Sequence, residues 1–162
     1  MNPLILKNYF GILLFTVLLF LMFLIVPWRR VKSFLGVGIF GGFGIAIVLL
    51  VIMQNVWGFW RFYQVDWFSP LRVPFFLSAA WAPLEIIFSH LLSQYKNFFM
   101  GVILTVAIPL GAITVHYFLL ANKMMAYHHW NLFLTFLVSL GILLGIGYYL
   151  YITGRLDKLT FL

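Results

Sequence analysis

Cysteine is absent from the 162 residues, and only three are acidic: Asp66, Glu85 and Asp157. Without thiols there is no disulfide, no thiolate nucleophile, no cysteine-held metal cluster and no lipid attached through cysteine. Acids this sparse cannot form the carboxylate clusters that hold magnesium for phosphoryl transfer. The chain also lacks a glycine-rich phosphate loop with its lysine, a Gly-x-Ser-x-Gly elbow and an HExxH helix. Hydrolysis and phosphoryl transfer are therefore disfavoured, and neither a cofactor nor a metal site is expected.

Charge of either sign is scarce, at 8% of residues, whereas 65% are apolar and the mean hydropathy is +1.10. Soluble domains carry about 25% charge and about 45 to 50% apolar residues, so this chain belongs in a bilayer. The formal charge of +7 comes from basic residues at the ends of apolar runs. There they meet anionic lipid headgroups, and nucleic acid is not expected as a partner.

The apolar runs predict an all-α, polytopic bundle forming one integral membrane domain over 1–162. Its five spans cover about 9–27, 34–53, 74–92, 98–120 and 132–152, each close to the roughly 20 residues a helical crossing needs. The first run is too long for a signal peptide and ends at Pro27, Trp28, Arg29, Arg30 and Lys32, so it reads as a retained helix. Between Gln54 and Val73 aromatic and charged residues alternate. Trp57, Trp60 and Trp67 share a helical face in this stretch, which predicts an interfacial amphipathic helix ending at Ser69 and Pro70. Gly38 with Gly42, and Gly141 with Gly145, have the four-residue spacing that lets helix backbones approach closely. They are candidate faces for helix pairing within the chain, between the second and fifth spans, or for a homo- or hetero-oligomer.

Orientation follows from the basic residues. The N-terminal side holds Lys7, Arg61, Arg72 and Lys123, and the opposite side holds Arg29, Arg30, Lys32, Lys96, Arg155 and Lys158. The positive-inside bias predicts a multi-pass cell-membrane protein with its N-terminus outside and its C-terminus in the cytoplasm.

Glu85 is the one acid inside an apolar run. At the centre of a span such a side chain costs about 2.5 to 3.5 kcal/mol on insertion scales, so it faces protein or water and marks a candidate site, catalytic or binding. Counted at 1.5 Å per residue, Glu85 and Pro109 are level in their helices, roughly 18 Å from the outer ends. Proline frees the carbonyl four residues back, which places the Thr105 carbonyl and hydroxyl beside Glu85 if the third and fourth spans are neighbours. Trp81, Thr105 and His116 are the candidate substrate-binding residues. His116 approaches the outward side of the Glu85 site together with Tyr117, His128 or His129. His90 lies too far round its helix to share the Glu85 face, and the adjacent His128 and His129 point to different faces.

The stretch Pro83-Leu84-Glu85-Ile86-Ile87-Phe88 partly resembles the Pro-x-Glu-Glu-x-x-Phe signature of membrane lycopene cyclases, with Ile86 at the second acid position. That resemblance implies an acid-catalysed isoprenoid or lipid enzyme using a protonated Glu85. Pro83 with Glu85, and Tyr127 with Trp130 and Asn131, carry a loose resemblance over most of the chain to uncharacterised five-helix integral membrane proteins of spore-forming Gram-positive bacteria, which carry no activity over. The expectation from the residues themselves is a small membrane protein whose mid-membrane polar site around Glu85 serves binding or interhelical contact. The alternatives are the acid-catalysed enzyme and an accessory subunit of a membrane complex.

Overall fold

The computed structural model describes residues 3–95 and 98–156, with side chains described from residue 8. Five helices are long and apolar enough to cross a membrane: α1 (Pro3–Ile25), α2 (Trp28–Val56), α3 (Phe75–Gln94), α4 (Phe98–Ala121) and α5 (Leu132–Ile152). The chain is an all-α, multi-pass membrane protein. Short connections make successive helices antiparallel, so the segments 57–74 and 122–131 lie at the end of the bundle where α1 begins. There β1 (Trp60–Phe62) pairs antiparallel with β2 (Met125–Tyr127), Trp60 opposite Tyr127. This end is the sheet-bearing face.

The turn between α1 and α2 is made by Pro27, whose extended ψ of 140° ends one helix and whose carbonyl accepts the Arg30 and Val31 amides of the next. Because that basic turn is itself helical, α2 starts six residues before the expected span. It buries Val31 and Phe34 and leaves Arg29, Arg30 and Lys32 exposed. Two stretches of α2, Val37–Gly44 and Ile52–Val56, are wound as π-helix.

Segment 57–74 corrects the sequence reading, since it forms no interfacial amphipathic helix. Gly58 ends α2 at a φ of +66°, β1 follows, and Gln64, Leu71 and Arg72 all take positive φ, a conformation no helix accommodates. Trp57 and Trp67 are exposed while Trp60 is buried, so the three indoles do not share a face. Side chains from the end of α2 secure the strained turn. Gln54 Nε2 donates to the Arg72 carbonyl at 2.7 Å and Asn55 Nδ2 to the Leu71 carbonyl at 3.1 Å.

The centre of the bundle is α3, which has 61% of its most apolar 18-residue stretch buried against at most 28% in any other span. It packs tightly on the glycines of α2. A Cβ on Gly42 would lie 2.6 Å from the Trp81 carbonyl oxygen, and one on Gly38 would lie 2.7 Å from Ile86 Cγ1. The Gly38/Gly42 face is thus filled inside the molecule by α3. The expected contact of Gly42 with Gly145 is not made. Gly41 faces Ile146 of α5 instead, while Gly141 and Gly145 are exposed with open space at their Cα. Two apolar clusters form the core. One, at the sheet-bearing end, includes Leu50, Met53, Trp60, Leu77 and Leu119, and the other, at the opposite end, includes Phe34, Phe88, Leu143 and Leu150. Glu85 lies at the seam between them. Of the basic residues behind the expected orientation, Lys96, Lys158 and the Lys7 side chain lie outside the described residues.

Candidate functional site

Pro83 organises the helix that carries Glu85. Lacking an amide hydrogen, it cannot bond the carbonyl of Ala79, and α3 breaks at Ala80 and restarts at Trp81. Glu85 therefore sits just beyond a break in α3, on the face turned into the bundle. It is fully enclosed, and neither carboxyl oxygen has a protein hydrogen-bond partner. Leaving a buried polar group unmatched costs about 1 to 3 kcal/mol, which makes this carboxyl poor cement between helices.

Glu85 opens on a chamber of about 30 Å³ whose other polar or aromatic walls are Trp60, Trp81, His116, Thr135 and Ser139. A water molecule needs about 10 to 15 Å³ by this measure, so the chamber takes one or two waters or the end of a polar group. Trp60 Nε1, buried on its wall, is likewise unmatched by protein. From His116 a chain of hydrogen bonds runs to the sheet-bearing face. His116 Nδ1 lies 2.6 Å from the Tyr127 hydroxyl, which lies 2.8 Å from Thr135 Oγ1, and Trp130 Nε1 donates to that same Oγ1 at 2.9 Å. The Trp60 ring meets the His116 ring nearly edge-on at 5.2 Å. Burial pushes the Tyr127 phenol up to about 12, with the Thr135 hydrogen bond opposing the rise, so the group is a neutral phenol at ordinary pH.

A second, apolar cavity of about 320 Å³ adjoins the chamber and shares Leu50, Trp81 and His116 with it. Its side walls are Leu14 and Leu18 of α1 and Ala107, Ile108 and Gly111 of α4. These residues lie midway along their helices. The Phe10 and Phe118 rings stack at 5.1 Å between α1 and α4 on the sheet-bearing side, and Ala107 and Gly111 of the cavity lining are exposed on the outer surface of the bundle.

The structure brings together three of the four residues singled out in the sequence, since Glu85, Trp81 and His116 all line the chamber. Thr105 is the exception. Its hydroxyl donates to the Gly101 carbonyl at 2.8 Å within α4, and its side chain lines a different cavity, between α4 and α5. The third and fourth spans do meet, but Glu85 faces α2 and α5 while Thr105 turns to the gap between α4 and α5. Tyr127, not the exposed Tyr117, meets His116, and His128 and His129 are exposed. Ile86, at the second acid position of the cyclase signature, packs on Gly38. Among the described residues no three His, Asp or Glu side chains gather as metal ligands would.

Trp60, Tyr127, Thr135 and Ser139 were missed. The last two are four residues apart in α5 and so share a helical face, a pattern visible in the sequence. Tyr127 and Trp60 reach the site only through strand pairing. Asp66 was missed as a structural residue. Its Oδ2 accepts the Leu77 amide at 3.0 Å at the start of α3, and it packs so closely on Gly11 of α1 that a Cβ there would overlap the carboxylate. Burial raises the Asp66 carboxyl above its ordinary value, against the lowering effect of the Leu77 amide. No protein-family model, curated protein or solved structure matches this chain.

Proposed function

We infer that this protein binds an amphipathic molecule dissolved in the bilayer, its chain in the cavity between α1 and α4 and its hydrogen-bonding head at the Glu85 chamber. The observation behind this reading is the shared wall of Leu50, Trp81 and His116, which puts an apolar cavity open to lipid beside a small polar one. At about 320 Å³ the cavity falls within the range of ligand sites, and its lining suits a single aliphatic or isoprenoid chain. The protein is further proposed to sit in the cell membrane with the sheet-bearing face outside. Arg29, Arg30 and Lys32, exposed around Trp28 with Lys32 Nζ 5.5 Å from that ring, fit a cytoplasmic leaflet rich in anionic headgroups.

Mass spectrometry of the molecules that remain with protein purified in mild detergent tests the binding. Gly111→Phe adds a ring at a residue that lines the cavity, where no neighbouring atom lies within 4 Å of a Cβ. The expected result is that wild type retains one class of amphipathic molecule and Gly111→Phe, folded and equally stable, has lost it. Identical lipid complements in the two proteins would exclude the reading.

The same adjacency favours a second reading, in which a protonated Glu85 acts as the acid for chemistry on an isoprenoid chain and Trp60 and Trp81 shield positive charge by cation–π attraction. Lipid extracts from cells lacking the protein separate the two, since turnover changes their composition and binding alone does not.

A further inference from the structure

We propose that His116, Tyr127 and Thr135 form a proton relay that loads and unloads Glu85 from the sheet-bearing face. The relay concerns the carboxyl itself and does not depend on a ligand in the lateral cavity.

Glu85 is sealed from solvent, yet the chamber it lines is also lined by His116 and Thr135, the two ends of a hydrogen-bonded chain whose middle member, Tyr127, is half-buried in the connection at the sheet-bearing face. Every group on that chain fits two complete and opposite arrangements. In the first, Thr135 donates to the Tyr127 oxygen, Tyr127 donates to His116 Nδ1, and the ring hydrogen is on Nε2. In the second, His116 Nδ1 donates to the Tyr127 oxygen, Tyr127 donates to Thr135, and Thr135 turns its hydrogen to the Asn131 carbonyl 3.3 Å away. Trp130 Nε1 donates to Thr135 in both and fixes that hydroxyl as the pivot. Among the described residues no hydrogen bond engages His116 Nε2, which is left for the cavities the ring lines. The two arrangements thus differ at the chamber, where Nε2 is a donor in the first and an acceptor in the second.

Loading Glu85 converts the first arrangement into the second. A hydronium at the sheet-bearing face gives a proton to the Tyr127 oxygen and leaves as water, while that oxygen passes its own proton to His116 Nδ1. Nε2 releases its proton to the chamber, and the Glu85 carboxylate takes it directly or through one water. One proton enters and one arrives, the negative charge on Glu85 is cancelled, and no electrons change hands. The reverse sequence returns the proton and restores the first arrangement. Tyr127 is half-buried and belongs to the connection at the sheet-bearing face, and its phenol stays neutral between transfers. No other ionisable side chain among the described residues lines the chamber.

Infrared difference spectroscopy of the purified full chain on transfer into heavy water tests this. The carboxyl band of Glu85 is assigned by its loss in Glu85→Gln, and its rate of deuteration is followed. Tyr127→Phe keeps the ring and removes the hydroxyl, and it is expected to slow deuteration at least about tenfold, a change of about 1.4 kcal/mol in barrier. Tyr117→Phe, at an exposed neighbour of His116 outside the relay, leaves the rate unchanged. If Tyr127→Phe does not fold, Thr135→Val takes its place and is expected to slow exchange, with Thr135→Ser restoring it. Exchange as fast as wild type in Tyr127→Phe or Thr135→Val overturns the relay, as does the lack of a Glu85 carboxyl band at every pH at which the protein stays folded. Retention of a lipid is scored separately, so the relay and the binding reading fail independently.

Discussion

A carboxyl enclosed in apolar surroundings with no protein partner destabilises the fold that holds it, and Glu85 is such a group. Glu85→Leu fills a similar volume and removes the unmatched oxygens, so unfolding in detergent is expected to require about 1 to 3 kcal/mol more than wild type while lipid retention is lost. Lower stability for the leucine variant would mean that the carboxyl holds the helices together. Asp66 presents the opposite case, a buried carboxylate with a structural task at the start of α3. Its pKa is raised in the folded chain, so its contribution to stability is complete below the ordinary 3.8 of the unfolded chain and is lost as pH rises through the raised folded value. Asp66→Asn keeps an oxygen for the Leu77 amide and removes the titration. Its melting temperature is therefore expected to vary less with pH from 3.8 upward than that of wild type, and equal slopes would place the pH dependence elsewhere.

Among the helices, α3 governs the arrangement because its break at Ala80 and its close approach to α2 aim Glu85 inward. That approach depends on Gly38 and Gly42, where added atoms meet α3 at less than 3.0 Å. At Gly42 the obstacle is backbone, which cannot turn aside as a side chain can. Gly42→Ala is expected to lose about 1 to 3 kcal/mol of stability by forcing the helices apart. Gly145→Ala, facing open space, gains up to about 1 kcal/mol from helix propensity. Thermal unfolding of both variants in the same detergent decides whether the two glycine pairs, alike in spacing, differ in role as their surroundings imply.

For the molecule as a whole, the pairing of β1 with β2 joins the α2–α3 and α4–α5 connections and delivers Trp60 and Tyr127 to His116. The site is therefore built from four helices, α2 to α5, and both connections of one face, and the sidedness of that face decides which compartment supplies the relay. On this cysteine-free background a single cysteine at the exposed Trp67 is expected to react with a membrane-impermeant thiol probe on intact cells. One at the exposed Lys32 is expected to react only after permeabilisation. The reverse pattern would invert the orientation and feed Glu85 from the cytoplasm.

The sequence by itself determined the five spans, because the cost of unsatisfied backbone in lipid leaves a long apolar run few choices besides a helix. It also marked Glu85, since an acid in such a run is too costly to be incidental, and it named Trp81 and His116 among the candidates around that acid. Depth along a helix is local, but rotation about its axis and the choice of neighbour are not. Thr105 shows this, since its side chain turns to the cavity between α4 and α5 while the glycines of α2 hold the inward face of α3. The 57–74 segment shows the same division. Its indoles have helical spacing, yet Gly58, Pro70 and the pull of a strand more than sixty residues away decide its shape. Tertiary structure alone brought Trp60 and Thr135 to the chamber and Tyr127 to His116, because hydrogen bonds between distant segments form only once packing has set the helices in place.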